Sequence, residues 1–361
     1  MKRLRVRAES NTYDVLVGRG AWRALRTLKR SSYTTVFVLT EKGLWAAWGK
    51  KFERAVQWKD CRTVIVPNGE TSKSLKFVER VAGELLAHGA DRRSLLIAFG
   101  GGVIGDLGGF VASTYMRGID YVQVPTTVVA QVDSAIGGKT GVNVGLAKNL
   151  VGTIAPPRLV IADPTVLATL DKRTFRSGLY EVVKHGILSG HRLFRQLETS
   201  LDTLLPSNAR NLGPLLAQAA KVKVDVVSRD EGEAGLRRVL NLGHTFGHAF
   251  EEVTRYRRFL HGEAVAWGMI AATALARRAG LIKSTEASRI TALVRRVGEI
   301  PPINDLGAER VMDLLPHDKK TVGGRIHWVL PERIGKVRIV AGIPAAMAES
   351  ALREVQQTRW S

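Results

Sequence analysis

The sequence predicts an α/β domain followed by a mainly α-helical domain. In the first half, short β-branched apolar runs alternate with amphipathic helical stretches, which is typical of a doubly wound parallel sheet. After about residue 165 the apolar residues recur at helical spacing instead. We therefore predict a domain boundary there, with residues 1–165 forming the first domain and residues 166–361 the second.

The strands of the first domain are predicted from nearly continuous apolar runs. Such runs are expected when helices cover both faces of a parallel sheet. Helical stretches near residues 41–57 and 72–89 separate the first runs. The predicted strands are 34–40, 62–67, 94–102, 121–127 and 158–163.

The second domain is predicted from helical periodicity. A small hairpin over 326–340 and a closing helix over 345–357 follow the main helical region. The predicted helices before them are 174–188, 215–229, 236–253, 263–280 and 288–298.

The charge balance narrows the classes of partner. Lysine and arginine exceed aspartate and glutamate by 54 to 33, which gives a net charge of +21. A basic surface attracts nucleic acid, anionic lipid or anionic small substrates. The cations are scattered and form no long block, so we expect no nucleic-acid partner and interpret most of them as a solvated surface.

The remaining composition predicts a cytoplasmic protein. The basic start of the chain has no apolar run behind it, so a secretory signal is not expected. The longest apolar run, residues 264–276, is too short to span a bilayer. Cys61 is the only cysteine, which excludes an intrachain disulfide, and its strand context favours a core side chain over a nucleophile.

The first chemical motif is FGGGVIGD at residues 99–106. It matches G-x-G-x-x-G after an apolar strand and before a predicted helix. Glycine lets the backbone approach a pyrophosphate, and a helix N-terminus favours its charge. An ordinary strand–helix turn is the alternative, since the motif follows a middle strand. Asp120 lies at the offset of a ribose-binding acid, although capping of a turn explains it equally well.

A second motif is the glycine-rich stretch 132–152. It is too long and polar for a plain turn, and it carries Asp133, Lys139, Lys148 and Asn149. A loop with lysines and exposed backbone N–H groups suits phosphate or carboxylate. A solvated loop with incidental lysines is the alternative interpretation.

The third motif is GLYEVVKHGI at residues 178–187. Glu181 and Lys184 are three residues apart, so both project from one helical face. A surface salt bridge would explain the spacing, but the apolar neighbours indicate partial burial. His185 points elsewhere and is interpreted as structural.

The fourth motif is NLGHTFGHAFEE at residues 241–252. His244 and His248 are four residues apart, a familiar zinc arrangement on a helix. Thr245 stands where an H-E-x-x-H metalloprotease needs glutamate, which disfavours that class. The predicted helix carries one polar stripe, formed by Arg237, Asn241, His244 and His248.

Two further residues extend this motif. His261 offers another nitrogen, and a carboxylate such as Glu181 would complete a His₂Glu set, the pattern of catalytic zinc sites. Satisfied core histidines are the alternative interpretation.

Taken together, the motifs resemble those of the 3-dehydroquinate synthase family. The resemblance covers roughly residues 65–330, in the family's order. It rests on GGGVIGDLGGFVASTYMRG, VPTTVVAQVDSAIGGKTGVN, KNLVG, SGLYEVVKHGI, NLGHTFGHAFE and HGEAVAWGM.

The resemblance implies a fold and a set of partners. It implies an α/β N-terminal Rossmann-like NAD-binding domain followed by a mainly α-helical metal-binding domain. It also implies a homodimer, an active site in the cleft between domains, one bound NAD and one divalent metal ion, zinc or cobalt.

The resemblance also assigns roles to residues. The implied metal ligands are Glu181, His244 and His261, so His248 is implied to contact substrate rather than metal. Arg117 resembles an arginine that reaches the phosphate from the neighbouring subunit. The other implied substrate-binding residues are Asp133, Lys139, Lys184, Lys223, Arg237, Asn241 and either Lys319 or Lys320.

For NAD, the implied residues include the glycine turn and several positions around it. Two features depart from the family: only Glu41 stands near the place of its ribose acid, and Ala147 replaces a glycine. The implied NAD-binding residues are Glu70, Lys73, Gly101, Gly102, Val103, Asp106, Thr126, Thr127, Lys139, Lys148 and Asn149.

The implied reaction converts 3-deoxy-D-arabino-heptulosonate 7-phosphate into 3-dehydroquinate and phosphate, in the biosynthesis of aromatic amino acids. A cluster of lysines and arginines makes physical sense against a substrate with a carboxylate and a phosphate. The alternatives are another sugar-phosphate cyclase, such as 2-deoxy-scyllo-inosose synthase, a metal-dependent polyol or glycerol-phosphate dehydrogenase, and a basic nucleic-acid-binding protein.

Overall fold

The computed structural model describes residues 1–58, 60–145, 147–315 and 326–358. The chain divides into two compact units. The first comprises Met1–Asp171 and Leu205–Gly232, and the second comprises Lys172–Leu204 and Glu233–Ser361. Elements are numbered below in chain order.

The first unit contains a seven-stranded sheet. Its strands lie in the order β1-β2-β9-β6-β5-β3-β4. All neighbours are parallel except β1 and β2, which are antiparallel. The strands are β1 (Lys2–Arg7), β2 (Thr12–Val17), β3 (Val36–Glu41), β4 (Cys61–Val66), β5 (Leu95–Gly100), β6 (Asp120–Pro125) and β9 (Leu159–Ala162).

The five predicted parallel strands are confirmed as β3, β4, β5, β6 and β9. All six residues of central β5 are buried, as expected for a strand with helices on both faces. The strands β1 and β2 were not predicted, because β1 alternates Leu4 and Val6 with arginines at the sheet edge and has no continuous apolar run.

Among its described residues, the first unit has four α-helices. The core on one side of the sheet gathers Leu39, Leu96, Leu107 and Val111, all at most 1% exposed. The helices are α1 (Lys42–Val56), α2 (Leu75–Ala87), α3 (Gly102–Thr114) and α6 (Gly213–Val227).

The glycine-rich stretch 132–152 was expected to be a loop. The structure shows instead a turn of π-helix followed by a hairpin. The turn spans Ala130–Ser134, and the antiparallel strands are β7 (Lys139–Val144) and β8 (Ala147–Ile154). A Cβ on Gly152 would lie 2.2 Å from the carbonyl oxygen of Thr140. The glycine therefore allows close approach of the two strands, which the sequence pattern does not distinguish from loop flexibility.

The second unit is mainly helical and surrounds α8. Fifteen of the residues of α8 are buried, and α4, α7, α9 and α11 pack against it. The elements are α4 (Lys172–Ser189), α5 (His191–Ser200), α7 (His244–Val253), α8 (His261–Arg278), α9 (Ser284–Arg296), α10 (Ala308–Leu314), β10 (Trp328–Arg333), β11 (Lys336–Val340) and α11 (Ala345–Gln357). The late hairpin and the closing helix are confirmed.

The expectation of one helix over 236–253 is wrong. A 3₁₀ helix spans Leu236–Asn241, the chain turns at Gly243 with a φ of 82°, and α7 begins at His244. A Cβ on Gly243 would lie 2.7 Å from the carbonyl oxygen of Val265. Backbone contact with α8 thus fixes the break, and it also removes the continuous polar stripe from Arg237 to His248.

The two units differ from the predicted division at residue 165. The first unit continues to Asp171 and also includes the later segment Leu205–Gly232. The returning segment packs on β1, and the backbone N–H of Arg7 donates to Ser228 Oγ at 3.0 Å. Helical periodicity shows that α6 is amphipathic but does not show which core receives its apolar face.

Within the described parts of the chain, no helix combines the length and the apolar character that a membrane crossing requires.

Candidate functional site

Two glycines of α8 let it pack directly against the backbone of α4 and against the backbone of the turn before α7. A Cβ on Gly262 would lie 1.8 Å from the carbonyl oxygen of Ser177 in α4. A Cβ on Gly268 would lie 1.8 Å from the carbonyl oxygen of Gly243, just before α7. Each contact excludes any larger side chain, so the first turns of α7 and α8 have fixed positions beside α4.

A buried carboxylate fixes the first turn of α8. The backbone N–H of Leu260 donates to Glu263 Oε2 at 2.8 Å. The Arg173 guanidinium donates to both oxygens of Glu263, at 2.7 and 2.8 Å. Negative charge in the first turn also suits the helix dipole. His261, the first residue of α8, is therefore held on a rigid end of the helix.

Three side chains of types that ligate metals meet where these helices meet. Glu181 comes from α4, His244 begins α7 and His261 begins α8. Glu181 Oε1 lies 3.8 Å from His244 Nε2 and 3.6 Å from His261 Nε2. One donor atom from each of the three lies within 4.8 Å of the others.

The donor set fits one divalent transition-metal ion. Tetrahedral zinc with bonds of about 2.0–2.1 Å separates its ligand atoms by about 3.3 Å, close to the spacing seen here. Two imidazoles and a carboxylate are also the ligand types of catalytic zinc, which keeps a position open for substrate.

The second nitrogen of each imidazole has a hydrogen-bond partner that orients the ring. His244 Nδ1 lies 3.2 Å from the carbonyl oxygen of Leu242, which can only accept. His261 Nδ1 lies 3.4 Å from Glu251 Oε2. With the Nδ1 hydrogens used in this way, the lone pair of each ring lies on Nε2, the atom that would bind a metal. The residues therefore fit a metal in their outer contacts as well as in their ligand atoms.

Lys184 lies beside the carboxylate of Glu181. Its Nζ lies 2.5 Å from Glu181 Oε2, and both side chains are 1% exposed. The predicted common face is confirmed, and the pair is buried rather than on the surface. An ammonium here keeps one oxygen of Glu181 engaged while the other faces the imidazoles.

In the first unit, a different neighbour restricts the space at each of the three glycines of the G-x-G-x-x-G motif. Gly100 ends β5, and a Cβ there would lie 2.5 Å from the side chain of Ile104. A Cβ on Gly102, the first residue of α3, would lie 3.2 Å from Ser134 Oγ. A Cβ on Gly105 would lie 2.7 Å from Gln123 Oε1, so this glycine serves helix–strand packing.

The glycine turn has the features of a pyrophosphate cradle. Gly101 and Gly102 leave space that side chains would fill, at the N-terminus of a 13-residue helix. Ser134 Oγ is buried beside the turn and makes no hydrogen bond with the described residues. A ligand oxygen at the cradle would find both backbone N–H groups and this hydroxyl, so the residues fit a dinucleotide.

An ion pair joins the segment before α2 to α3, the helix that begins at the glycine turn. The Lys73 ammonium, on a side chain only 6% exposed, contacts Asp106 in α3. Burial raises the pKa of Asp106, and the Lys73 ammonium opposes that effect.

Asn143 connects the Lys73 segment to the hairpin. Its side-chain amide donates to Glu70 Oε1 at 2.8 Å, and its Oδ1 accepts from the backbone N–H of Asn149 at 2.9 Å. Its backbone N–H donates to the carbonyl oxygen of Lys73. Three implied NAD-binding residues thus belong to one hydrogen-bonded group.

Comparison with known proteins places the chain in a family. The N-terminal model of 3-dehydroquinate synthase matches residues 63–177, and the C-terminal model matches residues 178–321. The chain belongs to the 3-dehydroquinate synthase family. The relative from Solibacter usitatus is 41% identical over 348 residues, which is 96% of this chain and 98% of the relative. That from Koribacter versatilis is 42% identical over 99% of this chain and 98% of its own.

Solved structures show the same fold. A 2-deoxy-scyllo-inosose synthase, complexed with carbaglucose-6-phosphate, NAD⁺ and Co²⁺, superposes with a TM-score of 0.87 at 24% identity over 98% of this chain and 99% of its own. The 2-epi-5-epi-valiolone synthase of Streptomyces hygroscopicus subsp. jinggangensis, with NAD⁺ and Zn²⁺ bound, gives 0.83 at 28% identity over 95% and 96%.

Of the substrate residues that the family implies, His248 lies near the three candidate metal ligands, and Arg237 and Asn241 belong to the same unit. The His248 ring centroid is 5.5 Å from that of His244 and 6.3 Å from that of His261. Arg237 is 2% exposed. The Asn241 amide donates to Glu233 Oε1 at 2.8 Å, which leaves Asn241 Oδ1 as an acceptor.

Glu233 was missed by the sequence reasoning. It holds the amide of Asn241 from eight residues away and has a φ of 61°. Because the intervening chain is not one α-helix, helical spacing gave no signal for the pair. The positive φ is the only local sign of constraint, and it is visible only in the structure.

The other implied residues lie in the first unit or outside the described chain. Lys223 contacts Asp133. Lys139 begins β7 and Lys148 lies in β8. Thr126 is buried, its backbone N–H donates to the carbonyl oxygen of Gly100, and Thr127 lies against Gly101. Arg117 is exposed after α3 with a φ of 68°, and Lys319 and Lys320 lie outside the described residues.

Asp120 and Glu41, the two acids near the predicted position of a ribose-binding acid, lie at opposite ends of their parallel strands. Asp120 begins β6, at the strand end away from the glycine turn, and accepts from the Tyr33 hydroxyl at 3.0 Å. Burial and this carboxylate raise the pKa of Tyr33 to about 12. Glu41 ends β3, so it lies at the carboxyl ends of the parallel strands, as the glycine turn does. Asp120 therefore lies at the wrong end of its strand for a ribose contact, and its carboxylate is engaged by Tyr33 and Arg158.

Proposed function

We propose that this protein is a 3-dehydroquinate synthase, which converts 3-deoxy-D-arabino-heptulosonate 7-phosphate into 3-dehydroquinate and phosphate. The observation that carries the proposal is the meeting of Glu181 with His244 and His261 in a chain that also has the glycine cradle. The sequence relatives support the same choice, since they are 41–42% identical over almost the whole chain.

The cofactors would be held by separate sets of residues. Glu181, His244 and His261 would bind one zinc or cobalt ion, and the turn at Gly101 and Gly102 would bind the pyrophosphate of NAD. When bound, the metal supplies Lewis-acid polarisation of a substrate oxygen, and NAD supplies a hydride acceptor that is regenerated because the net reaction is not an oxidation.

The residues of the second unit have complementary tasks toward the substrate. Arg237 is a buried guanidinium, which suits bidentate binding of a carboxylate or phosphate. The Asn241 amide is held by Glu233, so its Oδ1 is oriented to accept a hydrogen bond from a substrate hydroxyl. The imidazole of His248, beside the metal ligands, would contact the phosphate in addition to the Arg237 guanidinium. Lys184 adds positive charge where an anionic substrate would bind.

In the first unit, Lys223 and Asp133 form a pair of opposite charge. The ammonium is suited to a substrate oxyanion and the carboxylate to a substrate hydroxyl. Lys139 and Lys148 on the hairpin provide further charge for phosphate groups of substrate or cofactor.

The proposal extends to assembly and location. We infer a homodimer, in which the exposed Arg117 would be available to a neighbouring subunit. We infer a cytoplasmic location, which agrees with the length and composition of the described helices. Neither nucleic acid nor membrane is a proposed partner.

The main rival is a 2-deoxy-scyllo-inosose synthase. The fold likeness to that enzyme is high, but its identity to this chain is 24%, which shows the fold alone. A glycerol dehydrogenase from Sinorhizobium meliloti superposes with a TM-score of 0.62 at 17% identity, over 95% of this chain and 96% of its own, and again shows the fold alone. The sequence relatives therefore favour dehydroquinate formation.

One assay separates these activities. The protein is incubated with the heptulosonate phosphate, NAD and zinc, and both phosphate and NADH are followed. We expect repeated phosphate release without accumulation of NADH, loss of activity with chelator, and recovery with added zinc or cobalt. Accumulation of NADH would indicate a dehydrogenase. A parallel incubation replaces the heptulosonate phosphate with glucose 6-phosphate, and phosphate release from that substrate alone would indicate an inosose synthase.

A further inference from the structure

Glu251 is a buried carboxylate that contacts a metal-binding histidine from outside the ligand set. It lies in α7 and is 3% exposed. Its Oε2 is 3.4 Å from His261 Nδ1, while His261 Nε2 lies 3.6 Å from Glu181 Oε1. The imidazole of His261 therefore has a carboxylate at each of its nitrogens.

The chain between α7 and α8 is shaped to make this contact. Arg255 and Tyr256 both have positive φ values, 51° and 56°, which non-glycine residues adopt at a cost. The backbone N–H of Tyr256 donates to the carbonyl oxygen of Glu251 at 2.7 Å. The reversal thus starts on Glu251 itself and returns the chain so that His261 lies against its side chain.

The two histidines of the metal set are supported differently. The Nδ1 of His244 has a backbone carbonyl as its partner, whereas the Nδ1 of His261 has a carboxylate. A carboxylate accepts the Nδ1 hydrogen, so Nε2 carries the lone pair, and its negative charge makes that lone pair more basic. A charged group buried in α7 also needs polar partners to offset its desolvation.

We propose that Glu251 is a positioning residue that holds His261 in its metal-binding tautomer and strengthens metal binding. The inference rests on the proposed function only in taking Glu181, His244 and His261 as the metal ligands. Glu251 itself touches neither metal nor substrate in this account.

The test is a measurement of zinc affinity with zinc alone. The full-length protein is freed of metal, and its zinc Kd is measured by competition with a chromogenic chelator. The variant Glu251→Gln keeps the size of the side chain and removes its charge. We expect its zinc Kd to rise by about 10–100-fold, the usual effect of losing such an outer contact. The visible spectrum of the cobalt-loaded protein should also change, because it reports the coordination of the histidines.

The neighbouring Glu252 provides the matched control. It lies one residue along α7 and is exposed, so Glu252→Gln should leave the zinc Kd and the cobalt spectrum at wild-type values. If Glu251→Gln does not fold, Glu251→Asp takes its place, since it keeps the charge but withdraws it from His261. The expected zinc Kd then lies above that of Glu252→Gln.

The outcomes separate this inference from the proposed function. If either folded Glu251 variant binds zinc as tightly as Glu252→Gln, with an unchanged cobalt spectrum, the inference is overturned whatever the enzyme's activity. If zinc affinity falls as expected but the wild type releases no phosphate from the heptulosonate phosphate, the inference stands and the proposed function fails.

Discussion

Gly262 lies against Ser177 so closely that a methyl group on Gly262 would be 1.8 Å from the Ser177 carbonyl oxygen. The backbone N–H of Gly262 also donates to Ser177 Oγ at 3.1 Å. Gly262 follows His261, and Ser177 is one turn of α4 before Glu181. This single contact therefore sets the distance between two of the three proposed metal ligands.

Substitution Gly262→Ala should disrupt this contact. Because both neighbouring groups are backbone or close to it, the helices must separate, and we expect a loss of stability of about 1–3 kcal/mol. Thermal unfolding and zinc affinity of the same sample measure the two consequences. The control is Gly83→Ala in α2, where a Cβ meets nothing within 4 Å, and which should stabilise by about 0.5–1 kcal/mol. A Gly262→Ala protein with wild-type stability and zinc affinity would contradict the geometry.

Substitution Arg237→Ala should weaken substrate binding selectively. Arg237 is a buried cation in the metal-binding unit, and loss of its charge-assisted hydrogen bonds should raise KM by about 10–100-fold. The Kd for NAD, measured by fluorescence, should stay unchanged. The neighbouring, more exposed Arg238→Ala serves as control. Equal losses of substrate and NAD affinity would point to a folding defect instead.

Substitution Lys73→Met should weaken NAD binding. It removes the cation that contacts Asp106 at the glycine turn and leaves a carboxylate without that partner near the proposed pyrophosphate. We expect the Kd for NAD to rise about tenfold or more, while zinc affinity is unchanged. Lys76→Met, exposed on α2, is the matched control. Unaltered NAD affinity in the Lys73 variant would remove this pair from the cofactor site.

Cys61 should be nearly unreactive at neutral pH. Burial and the neighbouring Asp60 raise the pKa of its thiol to about 11. At pH 8 only about 0.1% would be thiolate, against about a quarter for an ordinary thiol, so alkylation should be about 200-fold slower. The sign of the shift also predicts a rate that rises about tenfold per pH unit up to pH 10. Mass spectrometry after iodoacetamide treatment measures it, since Cys61 is the only cysteine. Fast labelling at pH 7 would contradict the raised pKa.

The sequence predicted the parts of the fold that depend on local periodicity. The buried strand β5 and the amphipathic helices α1 and α2 were visible because their apolar pattern is uninterrupted. The edge strand β1 was not visible, because arginines alternate along it. The break at Gly243 was missed because its cause is contact with α8, which is distant in sequence.

The candidate site shows the same division between local and distant causes. The common face of Glu181 and Lys184 followed from their spacing on one helix. Glu251 and Glu233 were missed, because their partners are reached through chain reversals that have no helical or strand period. Half-burial of Cys61, rather than full burial, follows from the position of β4 at the sheet edge, which the local apolar run does not indicate.

The most direct test of the account is zinc stoichiometry in two histidine variants. His244 and His248 are four residues apart on α7, but only His244 has its Nε2 beside Glu181. After equilibrium dialysis, elemental analysis should find one zinc per chain in the wild type and in His248→Ala, and none in His244→Ala, which should also lose activity. Zinc retained by His244→Ala, or lost from His248→Ala, would contradict the assignment of Glu181, His244 and His261 as the metal ligands.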